Sequence, residues 1–269
     1  MPELPEVETI VRDLNGLISG LTISSAEVVR PDLIGGSVEV FQEGLRGRRI
    51  DSITRRAKNI LFHVGDDLLI VNLGMTGRLM VTTPDEEAPH LGVRFGLSDG
   101  SVLVYRDIRR FGRLELASAV DWGKREAQLG FEPLSEEFTP GALFELASRS
   151  RVAVKTWLMD QKRIVGVGNI YASEALFRAR IDPRRPANSL TRPDSRKLHA
   201  GIRDVLSSAI EMRGTTFMDY RDAKGERGGF KDFLLVYDRG GLPCTVCKTP
   251  IVRIVQGGRS TFYCPKCQK

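Results

Sequence analysis

Four cysteines stand near the end of the sequence as two Cys-x-x-Cys pairs, Cys244 with Cys247 and Cys264 with Cys267, and sixteen residues separate the pairs. Four thiolates at this spacing can surround one tetrahedral zinc ion. Disulfides or free thiols are the alternative, but a chain that stays in the cytoplasm rarely keeps disulfides. The pattern therefore predicts one structural Zn2+, which would supply much of the folding energy of so small a module.

The segment between the two cysteine pairs is predicted to form a β-hairpin. Residues 251–255 and 260–263 read as strands, and the sequence QGGR at 256–259 supplies a glycine turn. Arg259 therefore lies at or beside the tip of the hairpin. The cysteine spacing alone leaves open whether this module contacts a partner or only completes the fold.

The start of the chain is the second segment whose residues could take part in a reaction, because Pro2 is followed by Glu3 and Glu6. Removal of Met1 would expose a secondary amine at Pro2. An α-amino group titrates near pH ~8 rather than the ~10.4 of lysine, so part of it is neutral and nucleophilic at cellular pH. Such an amine can attack a sugar carbon and form an iminium. The alternative is helix capping, which commonly uses proline and carboxylates in a first turn.

The composition favours a polyanionic partner. The 269 residues carry 40 Lys and Arg against 34 Asp and Glu, a formal net charge of +6, and 41% of them are apolar, enough for a sizeable core. No apolar run approaches the ~20 residues that span a bilayer. The first residues also lack the basic start and apolar core of a signal peptide. We therefore expect a cytoplasmic protein that binds no membrane, and nucleic acid is one candidate for its polyanionic partner.

Apolar spacing predicts the elements that must position these groups. Val7, Ile10, Leu14 and Ile18 recur at helical spacing, so the chain begins with a helix. Residues 21–116 read as short strands separated by Gly, Asp and Asn turns, which indicates a sandwich or a barrel.

The rest of the chain before the cysteines is predicted to be mainly helical. Residues 131–140 are acidic and contain proline, as in a linker. Helical spacing follows at 142–146, 154–159, 170–180 and 195–213. Residues 213–229 are rich in glycine and charge with few core residues, and are predicted to form a long mobile loop.

Five sequence stretches together resemble bacterial formamidopyrimidine-DNA glycosylases along the whole chain. They are MPELPEVE at 1–8, NLGMTG at 72–77, DIRRFG at 107–112, GVGNIYASE at 166–174 and GGRSTFYC at 257–264. The resemblance implies an α+β fold with three parts. These are an N-terminal β-sandwich domain with an N-terminal helix (1–130), a helix-two-turn-helix domain with a lesion-capping loop (131–237) and a β-hairpin zinc finger (238–269).

The same resemblance implies a base-excision-repair enzyme that acts on damaged double-stranded DNA as a monomer. It assigns the catalytic set to Pro2, Glu3, Lys58 and Arg259. Pro2 would attack C1′ of the damaged nucleotide, release the base through a Schiff base, and drive β,δ-elimination. Glu3 would act as the acid and Lys58 would support base release, whereas by pattern alone Lys58 is a solvated member of a basic run. Arg259 would also grip a phosphate beside the lesion.

The resemblance implies DNA contacts as well. Met75, Arg109 and Phe111 match residues that fill the space left by an extruded base. By pattern alone, Met75 and Phe111 are core candidates and Arg109 is a surface charge. The helix start after Gly168 makes Asn169 a predicted N-cap and phosphate ligand.

Three further DNA contacts rest on the resemblance alone. They are Arg151 and Lys155, which we place on one helix, and His90. This chain departs from the family at two places, since Asn72 and the sequence HLG at 90–92 stand where many members have histidines. We expect the departures to affect local support and not the class of activity.

Two rival interpretations remain. One is an endonuclease VIII-like glycosylase for oxidised pyrimidines, but those relatives commonly have glycine where this chain has Leu4. The other is a zinc-containing DNA-binding regulator without catalysis, which composition and cysteines alone permit. We favour an enzyme for oxidised purines, namely 8-oxoguanine and formamidopyrimidines.

Overall fold

The computed structural model describes residues 2–86, 88–217 and 220–269. They form two compact units. The first comprises the described residues of Met1–Gln128 and Met212–Gly229, and the second comprises Leu129–Glu211 and Phe230–Lys269. No helix in the described residues has the length and apolar character to cross a membrane.

The first unit opens with the predicted helix, α1 (Leu4–Ile18). Its apolar face, which includes Val7, Ile10 and Leu14, is almost fully buried in the core of this unit. The Asn15 side chain fixes the helix to the first sheet, since it accepts the Ile53 N–H at 3.0 Å and donates to the Ile53 carbonyl. The start of the chain is therefore held against the sandwich.

Two four-stranded antiparallel sheets form this sandwich. One has the order β1-β6-β7-β5 and the other β2-β3-β4-β8. The strands are β1 (Ile23–Val28), β2 (Ser52–Arg56), β3 (Asn59–Val64), β4 (Asp67–Asn72), β5 (Gly77–Thr82), β6 (Leu91–Leu97), β7 (Val102–Asp107) and β8 (Arg113–Ser118), with helices α2 (Val38–Leu45) and α3 (Ala119–Glu126). The β4–β5 and β7–β8 connections both pass from one sheet to the other, so two short loops cross between the sheets.

The second unit contains the helices predicted for the middle of the chain. They are α4 (Pro140–Ser148), α5 (Val154–Leu158), α6 (Asn169–Ala179) and α7 (Arg192–Glu211). Helices α6 and α7 pack closely, because a Cβ at Gly201 would lie 2.9 Å from the Ala175 carbonyl oxygen. The fully buried Glu174 carboxylate accepts backbone N–H groups of residues 235–237 and so joins α6 to the segment before the cysteines. Burial raises the pKa of Glu174.

The zinc-finger hairpin follows the prediction. Strands β9 (Val252–Gln256) and β10 (Arg259–Tyr263) pair in antiparallel register. The two turn residues, Gly257 and Gly258, have φ values of +55° and +72°, which explains why glycine stands there. The turn places Arg259 first on β10, where it is exposed.

Two sequence interpretations need correction. Residues 131–140 do not form a free linker, because Phe138 is buried and Arg203 donates to the carbonyls of Pro133 and Ser135. The loop of residues 213–229 is not wholly mobile, because two of its few core residues, Tyr220 and Ala223, pack into the core of the first unit. Periodicity missed both segments because irregular backbone presents apolar side chains without a regular repeat.

Candidate functional site

Pro2 and Glu3 lie buried at the start of α1. Glu3 is the N-cap residue, and its N–H donates to Glu6 Oε2 at 2.7 Å, as in a capping box. The other oxygen of the same carboxylate, Glu6 Oε1, accepts the Thr215 N–H at 2.7 Å. Glu6 therefore joins the segment that carries Pro2 to the loop that follows α7. The predicted capping chemistry is present, and it also anchors the candidate nucleophile's segment.

Lys58 lies in the two-residue turn between β2 and β3, and it is half-buried and not fully solvated. The turn needs a left-handed residue, which Ala57 supplies with φ +56°. Arg55 connects this turn to α1, since Arg55 donates to the Ala57 carbonyl at 2.9 Å and pairs with Glu8 at 3.0 Å. The Lys58 turn and the first helix are thus held by one shared side chain.

Met75, Arg109 and Phe111 lie on the two loops that cross between the sheets. Met75 and Phe111 are 37% and 58% exposed, so the structure does not place them in the core. The Arg109 guanidinium carbon lies 4.6 Å from the centre of the Phe111 ring. The loops are in contact, because a Cβ at Gly74 would lie 2.5 Å from the backbone of Phe111. The sequence-predicted trio is therefore one exposed cluster.

Asn72 supports the loop that carries Met75. Its side-chain oxygen accepts the Gly74 N–H at 3.0 Å, and its amide nitrogen donates to Asn59 at 2.9 Å. Asn72, which departs from the family pattern, thus acts both as an acceptor for the Met75 loop and as a donor to β3.

His90 is exposed and has a left-handed backbone, with φ +60°. Its carbonyl accepts the Asp107 N–H at 3.1 Å, which joins it to the end of β7. His90 lines an open cavity together with Arg30, Asp107, Ile108 and Arg110. The lining carries both signs of charge, because Asp107 belongs to it and Arg110 pairs with Asp32 at 3.3 Å.

Asn169 is not the N-cap of α6, contrary to the sequence interpretation. Gly168 is the N-cap residue and Asn169 is the first residue of the helix. Because glycine caps the backbone here, the Asn169 side chain is available for other contacts. It accepts a hydrogen bond from Lys155 and donates to the Tyr237 hydroxyl at 3.4 Å.

Lys155 does not lie at the surface as a DNA contact would. Its side chain is 0% exposed, and its ammonium group donates to Asn169 Oδ1 and to the Ser260 carbonyl at 3.2 Å. A buried ammonium is tolerated only when such partners replace water. Lys155 therefore joins α6 to the strand that carries Arg259.

Arg151 is exposed, as a DNA contact requires, but it precedes α5 and does not lie on it. The flanking residues Ser150 and Val152 accept backbone N–H groups from Asn188 and Ala187. This pairing keeps residues 150–152 outside the helix, so the placement of Arg151 on it is wrong, although α5 starts at Val154 as its spacing predicts.

The four cysteine sulfurs lie within 4.8 Å of one another. Two of the separations are 3.4 Å, between Cys247 and Cys264, and 3.9 Å, between Cys244 and Cys267. Zn–S bonds of about 2.3 Å in a tetrahedron put sulfurs roughly 3.8 Å apart, so the four residues fit one structural zinc ion. Bound zinc would fix the hairpin, which is a structural role and not a chemical one.

Sequence reasoning missed Asp107, which is 3% exposed at the end of β7. Its carboxylate accepts the Thr76 hydroxyl at 2.5 Å and the Gly112 N–H at 2.8 Å. Burial and the Asp107 charge raise the pKa of the neighbouring Tyr105 hydroxyl, which therefore stays a donor. The available signal in the sequence was an aspartate at the end of an apolar strand, two residues before the pair Arg109 and Arg110.

Comparison with known proteins identifies the family. Three family models match: the formamidopyrimidine-DNA glycosylase N-terminal domain at residues 1–114, the formamidopyrimidine-DNA glycosylase H2TH domain at 129–221, and the zinc finger found in FPG and IleRS at 241–269. The formamidopyrimidine-DNA glycosylase of Heliobacterium modesticaldum is 45% identical, with 100% of both chains covered.

Solved structures agree along the whole chain. The MutM (Fpg) protein from Thermus thermophilus is 41% identical with a TM-score of 0.90, covering 99% of this chain and 98% of that one. A Lactococcus lactis FPG mutant in complex with Fapy-dG containing DNA is 34% identical with a TM-score of 0.94, covering 100% of both. These proteins share the α+β architecture and the zinc finger described above. The chain belongs to the formamidopyrimidine-DNA glycosylase family, and the resemblance seen in the sequence is confirmed.

Proposed function

We propose that this chain is a bifunctional DNA glycosylase and abasic-site lyase that removes oxidised purines from double-stranded DNA. Family membership along the full chain supports the enzyme class. Relatives solved with Fapy-dG containing DNA and with carbocyclic 8-oxo-G containing DNA support the substrate class. The observation in this chain that carries the proposal is the buried Pro2–Glu3 segment, whose backbone Glu6 holds in place.

The nucleophile in this proposal is the secondary amine that Pro2 gains when Met1 is removed. Its nitrogen forms a bond to C1′ as the bond from C1′ to the base breaks, and the base leaves with a proton. Opening of the sugar then gives an iminium at C1′. Loss of a C2′ proton expels the 3′ phosphate, and the second elimination expels the 5′ phosphate. No cofactor takes part in these steps.

Glu3 is the proton donor for base release and ring opening, because it is the carboxyl group adjacent to the nucleophile and is 2% exposed. Lys58 supports base release from the half-buried turn beside β3. These assignments depend on the match to the family motif, and the tie from α1 to the turn through Arg55 supports them.

The DNA-contacting residues fall into two groups. Met75, Arg109 and Phe111 fill the stack after the lesion is extruded, and their joint exposure on two touching loops supports this role. Asn169, Arg259, Arg151 and His90 contact phosphates, as their exposed or half-buried positions allow. Lys155 acts indirectly by holding Asn169 and the strand of Arg259.

We infer that the enzyme works as a monomer in the cytoplasm. One chain carries every residue that the proposed reaction uses. The four-thiolate zinc site requires reduced cysteines, which agrees with a reducing compartment that contains DNA.

Borohydride trapping on lesion duplexes tests the proposal. The protein is incubated with an 8-oxoguanine duplex, a thymine-glycol duplex and an undamaged duplex, each with sodium borohydride. We expect a covalent adduct that maps to Pro2 by mass spectrometry, formed fastest with 8-oxoguanine. Faster trapping on thymine glycol would instead assign the endonuclease VIII-like activity, and the absence of any adduct would favour a non-catalytic regulator.

The control must block the secondary amine of Pro2 without placing another α-amino group at the same position. Pro2→Gly is ambiguous, since glycine also offers an α-amino group. A variant with one residue added before Pro2 blocks the ring nitrogen as an amide. It should bind a lesion duplex and form no adduct, whereas full strand cleavage by a protein that retains Met1 would refute the mechanism.

A further inference from the structure

We propose that Asp107 is a positioning residue that holds the Met75 loop and the Arg109–Phe111 loop in their insertion geometry before DNA binds. The inference rests on the proposed function, because it assumes that these three side chains enter the duplex. It concerns a residue that is 3% exposed and that the proposed function does not assign to the lesion or to the reacting sugar.

The hydrogen bonds of Asp107 connect both loops. Oδ1 accepts the Thr76 hydroxyl at 2.5 Å and the Arg109 N–H at 3.2 Å. Oδ2 accepts the Gly112 N–H at 2.8 Å and the Tyr105 hydroxyl at 3.3 Å. All the donors point at one carboxylate, which can accept about four hydrogen bonds when ionised.

The donors lie beside the inserting side chains. Thr76 directly follows Met75, and its oxygen also accepts the Arg109 N–H at 3.1 Å. Gly112 directly follows Phe111. The carboxylate therefore fixes backbone on both sides of the Arg109–Phe111 segment and next to Met75.

Close backbone packing removes the remaining freedom of the loops. Gly74 has φ +58°, and a Cβ there would lie 2.5 Å from Phe111 backbone. A Cβ at Gly112 would lie 1.6 Å from the Tyr105 hydroxyl. Glycine at these two positions lets the loops approach each other and Tyr105 closely enough for Asp107 to reach every donor.

Because of these contacts, the two loops lose their conformational freedom when the protein folds and not when DNA binds. Exposed Met and Phe side chains on loose loops would have to be ordered during binding, at a cost in affinity and rate. With Asp107 in place the loops are ordered on folding, so Met75, Arg109 and Phe111 already have their insertion geometry in the free protein. We therefore expect Asp107 to matter for base extrusion from a duplex and not for elimination at an existing abasic site.

The test compares Asp107→Asn with Asp99→Asn, an exposed aspartate in the β6–β7 turn that accepts Ser101 groups. The amide has nearly the same shape but points an NH2 group at two donors. The measurements are single-turnover release of 8-oxoguanine from a duplex, fluorescence of 2-aminopurine next to a lesion analogue on binding, and cleavage of single-stranded DNA with a preformed abasic site.

We expect Asp107→Asn to slow base release by about tenfold or more, the size of one or two lost hydrogen bonds to a charged group. The 2-aminopurine signal, which reports the opened base step, should fall in parallel. Cleavage of the single-stranded abasic substrate should stay within about twofold of wild type, because no base is extruded there. Asp99→Asn should match wild type throughout.

Thr76→Val and Thr76→Ser provide a second route if Asp107→Asn folds poorly. Valine removes the hydroxyl that bridges the loops, whereas serine keeps it, so only valine should lower base release and the 2-aminopurine signal. Equal losses on duplex and single-stranded substrates, or no loss with either Asp107→Asn or Thr76→Val, would overturn the positioning role. Failure of the wild-type protein to release any base or form an adduct would instead refute the proposed function.

Discussion

Lys155→Met is the sharpest test of how the second unit grips DNA. The substitution keeps an unbranched side chain one atom shorter and removes the buried ammonium that donates to Asn169 and to the Ser260 carbonyl. Each hydrogen bond to a charged group contributes about 1.5–3 kcal/mol, and two acceptors lose their partner. Allowing for relaxation, we expect a loss of roughly 2–4 kcal/mol in the free energy of unfolding.

The same change should weaken DNA binding without altering its electrostatics. Asn169 and the strand that carries Arg259 lose their shared anchor, so we expect Kd to rise by about tenfold, equivalent to ~1.4 kcal/mol. Because Lys155 is fully buried, we expect it to contact no phosphate directly. The slope of log K against log salt concentration should therefore stay unchanged.

The assay is fluorescence anisotropy with an abasic-analogue duplex at several salt concentrations, together with thermal unfolding. Lys197→Met, an exposed lysine on α7, is the control for loss of one charge. Arg259→Ala is the positive control, since loss of one phosphate contact should lower the slope by about 0.9. A similar drop in slope for Lys155→Met, with no change in unfolding temperature, would refute the positioning argument and restore a direct contact.

Three more predictions follow from the site. Zinc removal by a chelator should abolish binding of lesion duplexes in an anisotropy assay and added Zn2+ should restore it, whereas full binding by metal-free protein would contradict the role of the four cysteines. Asn72→Leu should lower base release through loss of the Gly74 and Asn59 hydrogen bonds, while Asn72→His should retain more activity in a single-turnover assay; equal rates would show that Asn72 does not support the loop. Asp222→Asn should lower the free energy of unfolding by about 1–3 kcal/mol, because this fully buried carboxylate accepts hydrogen bonds from Arg213 and from two backbone N–H groups. A denaturant titration measures the change, and an unchanged midpoint would refute that estimate.

The elements with strong periodicity and distinctive turn residues could be predicted from the sequence. The first helix follows from the spacing of Val7, Ile10 and Leu14. The hairpin follows from Gly257 and Gly258, whose left-handed backbone explains their identity. Cysteine spacing alone gave the zinc ligands, because four thiolates in this arrangement serve few other purposes.

The side-chain environments could not be predicted in the same way. A lysine in a helical pattern gives no sign that its ammonium is buried, since that depends on Asn169 and Ser260, which are distant in sequence. The cap of α6 falls on Gly168 because backbone geometry, and not side-chain type, decides the helix start. Motif matching named Met75, Arg109 and Phe111, and only the folded chain reveals that Asp107 holds their loops.

The contact between Glu6 and Thr215 also bears on the order in which the nascent protein matures. Bacterial domains fold largely from the N-terminus as they leave the ribosome, at roughly 5–20 residues per second. Yet the first unit needs residues 212–229, which include the Ala223 core residue and the Thr215 N–H that binds Glu6. Its first 128 residues therefore gain the Thr215 hydrogen bond and the Ala223 core contact only after the helical segment has been translated. A polypeptide interrupted before residue 215 lacks the hydrogen bond that joins Glu6 to this loop.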